Sequence, residues 1–200
     1  MGLFDYGSGN LHSAARAFAG AGADVTVTSD LSELRRQDAL VVPGVGAFAA
    51  CMAGLVKAGG VDLIREWADD QRPLFGICVG HQVLFEHGAE HGTLTDGVGL
   101  FGGDVVGLDA ERLPHMGWNT VDADPGSTLF RGLAGERFYF VHSYAALIAP
   151  DGASAAMAEH ESARFVAAVE LGSVSSTQFH PEKSGSAGAR LIANWLAGPR

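Results

Sequence analysis

This chain predicts an α/β fold: a central, mostly parallel sheet flanked by helices, with additional antiparallel strands in the second half. Three observations carry that expectation. Through the first half, short apolar strand candidates alternate with segments of helical period, the mark of βα units whose parallel sheet is covered on both faces. Glycine-rich turns follow the candidate strands at 5–9, 43–46 and 76–80. Beyond about residue 104 the pattern changes to strand after strand, closed by one helix. A length of 200 residues suits a single domain, 1–200, since ~100–200 residues per domain is usual.

Taken in order, residues 2–5 read as a strand that meets the turn Tyr6-Gly7-Ser8-Gly9. A helix follows, with Leu11, Ala14, Ala15 and Phe18 on one face. Residues 25–28 read as a strand and 31–36 as a brief helix. Residues 39–42 form a strand ending at Pro43-Gly44-Val45-Gly46, and a helix spans about 47–57. Ile64 and Trp67 mark another helix. The apolar run Pro73-Leu74-Phe75-Gly76-Ile77 then reads as a strand, and Val83-Leu84-Phe85 as the face of a helix after it. Strand candidates in the second half fall at 104–108, 119–123, 137–144, 153–159, 165–170 and 174–179, and a helix at 188–196. In parallel α/β sheets the site forms at the carboxyl ends of the strands. Asp5, Gly44 and Cys78 all fall at such ends.

Residues 76–82 read Gly-Ile-Cys-Val-Gly-His-Gln, the thiol version of a nucleophile elbow, where a strand turns sharply into a helix and presents one side chain at the tip. Gly76 and Gly80 let such a turn close without Cβ clashes. Cys78 would sit at a helix N-terminus, which favours the thiolate. The motif alone fits a buried structural cysteine as well. Far downstream stands Gln178-Phe179-His180-Pro181-Glu182-Lys183-Ser184. A thiol nucleophile needs a base, and the base an orienting group on its far nitrogen. His180 and Glu182, two apart on extended backbone, would project to the same side. A lone His-Pro-Glu is more often a surface turn; with the elbow it favours a triad.

Bulk properties exclude other classes. The net charge of −10 argues against nucleic acid or an anionic membrane as partner. No apolar run approaches the ~20 residues of a membrane span, and the first residues do not read as a signal peptide. Cys51 and Cys78 are the only cysteines, too few for a disulfide framework, and a reduced, cytoplasmic setting is expected. His81, His87 and His91 lack a metal-ligand spacing, and Gly7-x-Gly9 lacks the rest of a phosphate loop.

The elbow with Gln82, joined to His-Pro-Glu, resembles the class I glutamine amidotransferases. Asp5-Tyr6-Gly7-Ser8-Gly9-Asn10, Pro43-Gly44-Val45-Gly46-Ala47-Phe48, Pro114-His115-Met116-Gly117-Trp118-Asn119 and Phe140-Val141-His142-Ser143-Tyr144 are similar to one branch, the glutaminases that serve imidazole glycerol phosphate synthase in histidine biosynthesis. The resemblance covers essentially the whole chain. It implies Cys78 as nucleophile, His180 as base and later acid, and Glu182 as orienter. It implies L-glutamine as substrate, no cofactor and no metal. Gln82, Ser143 and Tyr144 would hold glutamine, and Val79 with an amide of 43–46, such as Gly46, would stabilise the oxyanion. The implied partner is a separate (β/α)₈ cyclase subunit, facing Asn10, Ser13, Trp118, Tyr139 and Lys183. For these the alternatives are a helix cap at Asn10 and core positions for Trp118 and Tyr139. Two departures stand out: His81, where that branch usually has Met, and Ser175-Ser176, where a bulkier or glycine-containing stretch is typical. A glutaminase for another synthase, a silent binding subunit and a thiol hydrolase of another amide are the competing readings.

Overall fold

The computed structural model describes residues 1–198. The first half is β1 (Gly2–Phe4), α1 (Leu11–Gly20), β2 (Thr26–Thr28), α2 (Leu31–Arg35), β3 (Leu40–Gly44), α3 (Phe48–Lys57), α4 (Gly60–Asp69) and β4 (Leu74–Cys78). After the one-turn helix α5 (Val79–Gln82) come β5 (Phe85–Glu90), β6 (Thr93–Asp96), β7 (Phe101–Gly107), β8 (His115–Thr120), β9 (Asp122–Ala123), β10 (Arg137–His142) and β11 (Tyr144–Ala146). The chain ends with β12 (Ser154–His160), β13 (Ala163–Leu171), β14 (Val174–Thr177), a 3₁₀ turn at Pro181–Lys183 and α6 (Gly185–Leu196).

Eight strands make the main sheet in the order β2-β1-β3-β4-β14-β13-β12-β9. The strands from β2 to β14 run parallel, and β13, β12 and β9 continue antiparallel. Every residue of β3 and β4 is buried, as expected of central parallel strands covered on both faces. Phe75 of β4 meets Phe18 of α1 and Trp195 of α6, with ring centroids 6.0 and 5.2 Å away. Helices α3 and α4 bury Phe48, Leu55, Leu63, Ile64 and Trp67. Each such large apolar side chain is worth roughly 1.5–3 kcal/mol on burial. Two smaller sheets, β10-β8 and β11-β7-β5-β6, stand apart from the main one.

The structure corrects the expected elements after the elbow. The helix there ends at Gln82, because the carbonyls that would continue it are taken. Val83 C=O accepts from the Val98 N–H, and Leu84 C=O from the Leu100 and Phe101 N–H groups. Phe85 therefore opens a strand instead of extending a helix face. The hairpin β5–β6 was not expected at all. The segment expected as one strand at 119–123 lies on two strands in different sheets, β8 and β9, and 137–144 divides between β10 and β11.

Candidate active site

Cys78 ends β4 at φ +56°, ψ −111°, a conformation non-glycine residues rarely adopt and one concentrated at functional sites. The turn depends on Gly80, where a Cβ would lie 1.9 Å from the Val42 carbonyl oxygen. Helix α5 after it is only one turn long. Strand β14 pairs in parallel with β4, with Thr177 opposite Ile77, so the chain leaving β14 emerges next to the elbow and carries His180 there.

His180 is held by its backbone. Its N–H donates to the Tyr139 carbonyl at 2.9 Å, and its own carbonyl accepts from Ser184 Oγ at 2.6 Å. Glu182 lies in the 3₁₀ turn, not on the extended backbone the sequence suggested, yet Oε1 reaches His180 Nδ1 at 2.8 Å. Both side chains are almost wholly buried, at 3% and 2% exposure. Burial alone would lower the His180 pKa; bonding to Cys78 and Glu182 outweighs it and raises the value to about 9. The imidazole is thus held as an imidazolium beside Cys78 at neutral pH, with Nδ1 turned to the carboxylate and Nε2 left for the thiol.

A cavity of about 240 Å³ opens over these groups. Gly46, Val79, Gln82, Ser143 and Tyr144, all expected at a substrate pocket, line it. Gln82 is buried and spends both amide hydrogens internally, one on the Tyr144 carbonyl at 2.8 Å and one on Gln178 Oε1 at 3.0 Å. Its Oε1 is the polar atom left for the cavity. A second cavity of about 320 Å³ borders Met1, Ala39, Pro73 and Ser173, at the amino ends of the same strands and away from Cys78.

Sequence reasoning missed four residues here. Glu90, at the end of β5, lines the cavity and accepts from the Phe48 N–H at 2.9 Å, capping α3 from a distant strand. No local signal marked it, since its hairpin was unread. Tyr6 donates its hydroxyl to the Pro43 carbonyl at 2.6 Å. Ser8 Oγ accepts from the Val45 N–H at 3.1 Å and donates to the Val45 carbonyl at 3.0 Å. Cys51 Sγ lies 3.2 Å from Ser8 Oγ and 3.4 Å from the same carbonyl; burial pushes its thiol pKa up, so it stays a neutral donor. The first βα turn therefore clamps segment 43–46 through side chains, a reason for the Tyr6 motif that sequence alone did not give.

Of the elements that carry the residues expected to face a partner, α1 and β10 pack on the 3₁₀ turn. Asn10 Oδ1 caps α1 by accepting from the Ser13 N–H at 3.3 Å, so the capping alternative holds, and the residue is also exposed. Helix α1 packs on the 3₁₀ turn that bears exposed Lys183. Trp118 is half exposed, not a core residue, and sits 6.0 Å edge-on from Tyr139. With Met116 and Val141 these form the outer face of the β8–β10 ribbon.

The two departures in sequence meet in space. His81 is fully buried with Nδ1 2.7 Å from Ser176 Oγ, so the buried ring has a hydroxyl partner. Burial pushes its pKa down to about 3. His87 turns instead to Asp104 and His91 to the Tyr144 ring, so the three histidines do not converge. Among the described residues, no group of three or more side chains is placed to hold a metal ion, and no helix is long and apolar enough to cross a membrane.

The model of the family "Glutamine amidotransferase class-I" matches residues 2–198, and the chain belongs to that class. Its relatives are narrower. Imidazole glycerol phosphate synthase subunit HisH of Cutibacterium acnes is 55% identical, over 98% of this chain and 95% of its own. The HisH subunit of Nocardia farcinica is 56% identical over 98% and 96%, and the chain belongs with both to the HisH family. A solved structure described as a glutamine amidotransferase has the same fold at TM-score 0.77, with 18% identity and 98% of each chain covered.

Proposed function

We propose that Cys78, His180 and Glu182 hydrolyse L-glutamine to glutamate and ammonia, and that the ammonia passes to a (β/α)₈ cyclase making imidazole glycerol phosphate and an aminoimidazole carboxamide ribotide. The observation that carries the reading is the His180–Glu182 bond, with Cys78 and His180 both lining the cavity. Cys78 Sγ adds to the side-chain amide carbon of glutamine. As the tetrahedral species collapses, the C–N bond breaks, and the His180 imidazolium gives its proton to the leaving nitrogen. A glutamyl thioester and ammonia result. His180, now neutral, takes a proton from water as the water attacks. The C–S bond breaks, glutamate leaves, and Cys78 Sγ is freed beside a His180 that again carries its proton.

The oxyanion of both steps needs preorganised donors. Val79 N–H is one. In segment 43–46, Pro43 has no N–H, Gly44 belongs to β3, and the Val45 N–H is bound to Ser8 Oγ; Gly46, on the cavity wall, supplies the second. Glu90 takes the α-ammonium of glutamine, as the carboxylate that lines the cavity. Glu90→Gln should raise KM for glutamine about tenfold, the scale of one charge-assisted hydrogen bond, with kcat little changed. Steady-state glutamine kinetics check this, and an unchanged KM removes Glu90 from the pocket.

Free ammonia in neutral water is mostly protonated and unreactive, so the product is useful only beside its consumer. The outer face of β8–β10, with Met116 and Trp118 exposed beside Tyr139, has the aromatic centre of a specific interface and lies next to the turn that carries His180. Asn10, Ser13 and Lys183 are the further residues that would meet this partner. Unpaired cysteines suit the cytoplasm. Glutamate release by the protein alone, and then with the cyclase and its nucleotide ligand, tests the whole reading. Strong stimulation by the loaded cyclase is expected; activity indifferent to it would sever the chain from that partner.

A further inference from the structure

From His142, on the cavity wall, a chain of hydrogen-bonding groups that the triad does not use runs back into the protein. His142 is buried at 7% exposure, and its Nδ1 lies 3.0 Å from the Tyr144 carbonyl. A carbonyl only accepts, so Nδ1 carries the hydrogen and Nε2 of the neutral ring is bare. His115 Nδ1 stands 3.2 Å from that bare nitrogen and must therefore donate to it. This leaves His115 Nε2 as an acceptor, facing the Asn119 side-chain amide at 3.5 Å. Asn119 is anchored in turn by donating to the Glu159 carbonyl at 2.8 Å. The His115 ring is sandwiched between His160 and Phe140, at centroid distances of 4.2 and 4.9 Å. Burial depresses the pKa of His142 to about 3 and of His115 to about 4, so both rings stay neutral and the donor–acceptor order is preserved.

The chain ends on an atom the substrate pocket needs. The Tyr144 carbonyl accepts from His142 and also from the Gln82 amide. That second bond holds the Gln82 nitrogen inward and leaves its oxygen for the cavity. We infer that His142 is a positioning residue for glutamine, seated by His115 and Asn119, which fixes the Tyr144 carbonyl and through it the orientation of the Gln82 amide. The same ribbon carries this chain on one face and the Met116–Trp118–Tyr139 face on the other: residues 115, 117 and 119 alternate with 116 and 118.

The inference rests on the cavity over Cys78 being the glutamine site. Glutamine kinetics of the cyclase complex would be compared for wild type, His142→Phe and His142→Asn. Phe keeps a flat ring without the N–H; Asn restores a donor near the Nδ1 position. We expect His142→Phe to raise KM about tenfold with kcat within about threefold, and His142→Asn to return KM to within about threefold of wild type. A wild-type KM in His142→Phe, or no rescue by His142→Asn, overturns the inference. Should the Phe variant fail to fold, ¹⁵N spectra of the wild-type imidazoles decide instead: Nδ1-protonated, Nε2-bare rings at both His142 and His115 support the chain, and the reverse tautomer at His142 overturns it. Glutamine hydrolysis persisting in Cys78→Ala would bring down the pocket reading itself, whereas a failed His142 series with an inert Cys78→Ala brings down only the positioning role.

Discussion

Cys78→Ala should abolish glutamine-dependent synthesis while ammonia-dependent synthesis by the assembled complex survives. Loss of a nucleophile from a triad that acts as a unit costs on the order of 10⁶-fold in kcat, enough to put glutamate release at the background rate. On the proposed division of labour the two outcomes separate, because the thiol would serve only the release of ammonia, and ammonia supplied from solution would bypass it. Ala occupies the elbow as readily as Cys, since both carry a Cβ at φ +56°, and the glycine contacts that shape the turn are untouched. Assays with glutamine and with ammonium salt, on the same preparation, read the two activities. Loss of both would mean that Cys78 supports the complex as a whole, and the division of labour would fall.

The parts of this site that were legible in the sequence are those whose local geometry is imposed by residue type. Gly76 and Gly80 around Cys78 announced a turn that no side chain could occupy, and the structure has that turn. His180-Pro181-Glu182 was readable because a base and its orienter are neighbours in the chain. Its backbone form was misread: Pro181 opens a 3₁₀ turn, which an extended reading of alternation does not anticipate. Elements set by distant partners were not legible. The helix after Gln82 stops because amides from 98–101 capture its carbonyls, and nothing in Val83-Leu84-Phe85 states this. Glu90 reaches the cavity only through a hairpin that was unread, and Ser8 and Cys51 meet Val45 only once β1 and β3 lie side by side. His142 precedes Ser143 and Tyr144 in sequence, but the role proposed for it depends on a cross-strand neighbour, His115, that no spacing rule pairs with it.

Glu182→Gln should reduce glutamine turnover roughly 10²–10⁴-fold, less than Cys78→Ala, and should move the alkaline limb of the pH profile. A carboxylate at 2.8 Å holds the Nδ1 hydrogen of His180 and stabilises the imidazolium; the isosteric amide can present an N–H instead and turn the ring to the wrong tautomer. The nucleophile and oxyanion donors remain, so the loss stays within the range of a misdirected general base. The shift in His180 pKa also has a stability consequence of definite sign. A group whose pKa rises on folding, here from 6.5 to about 9, adds stability that is complete below the unfolded value and disappears as pH passes the folded one. The variant lacks part of that rise. Its deficit against wild type should therefore be greatest below pH about 6.5 and fade as pH rises through about 9, and denaturant melts across that window would show it. In kcat/KM the alkaline limb of wild type should fall near the raised His180 value, and in the variant at lower pH. A loss equal to that of Cys78→Ala, or a pH profile that does not move, would mean that Glu182 does something other than orient and charge His180.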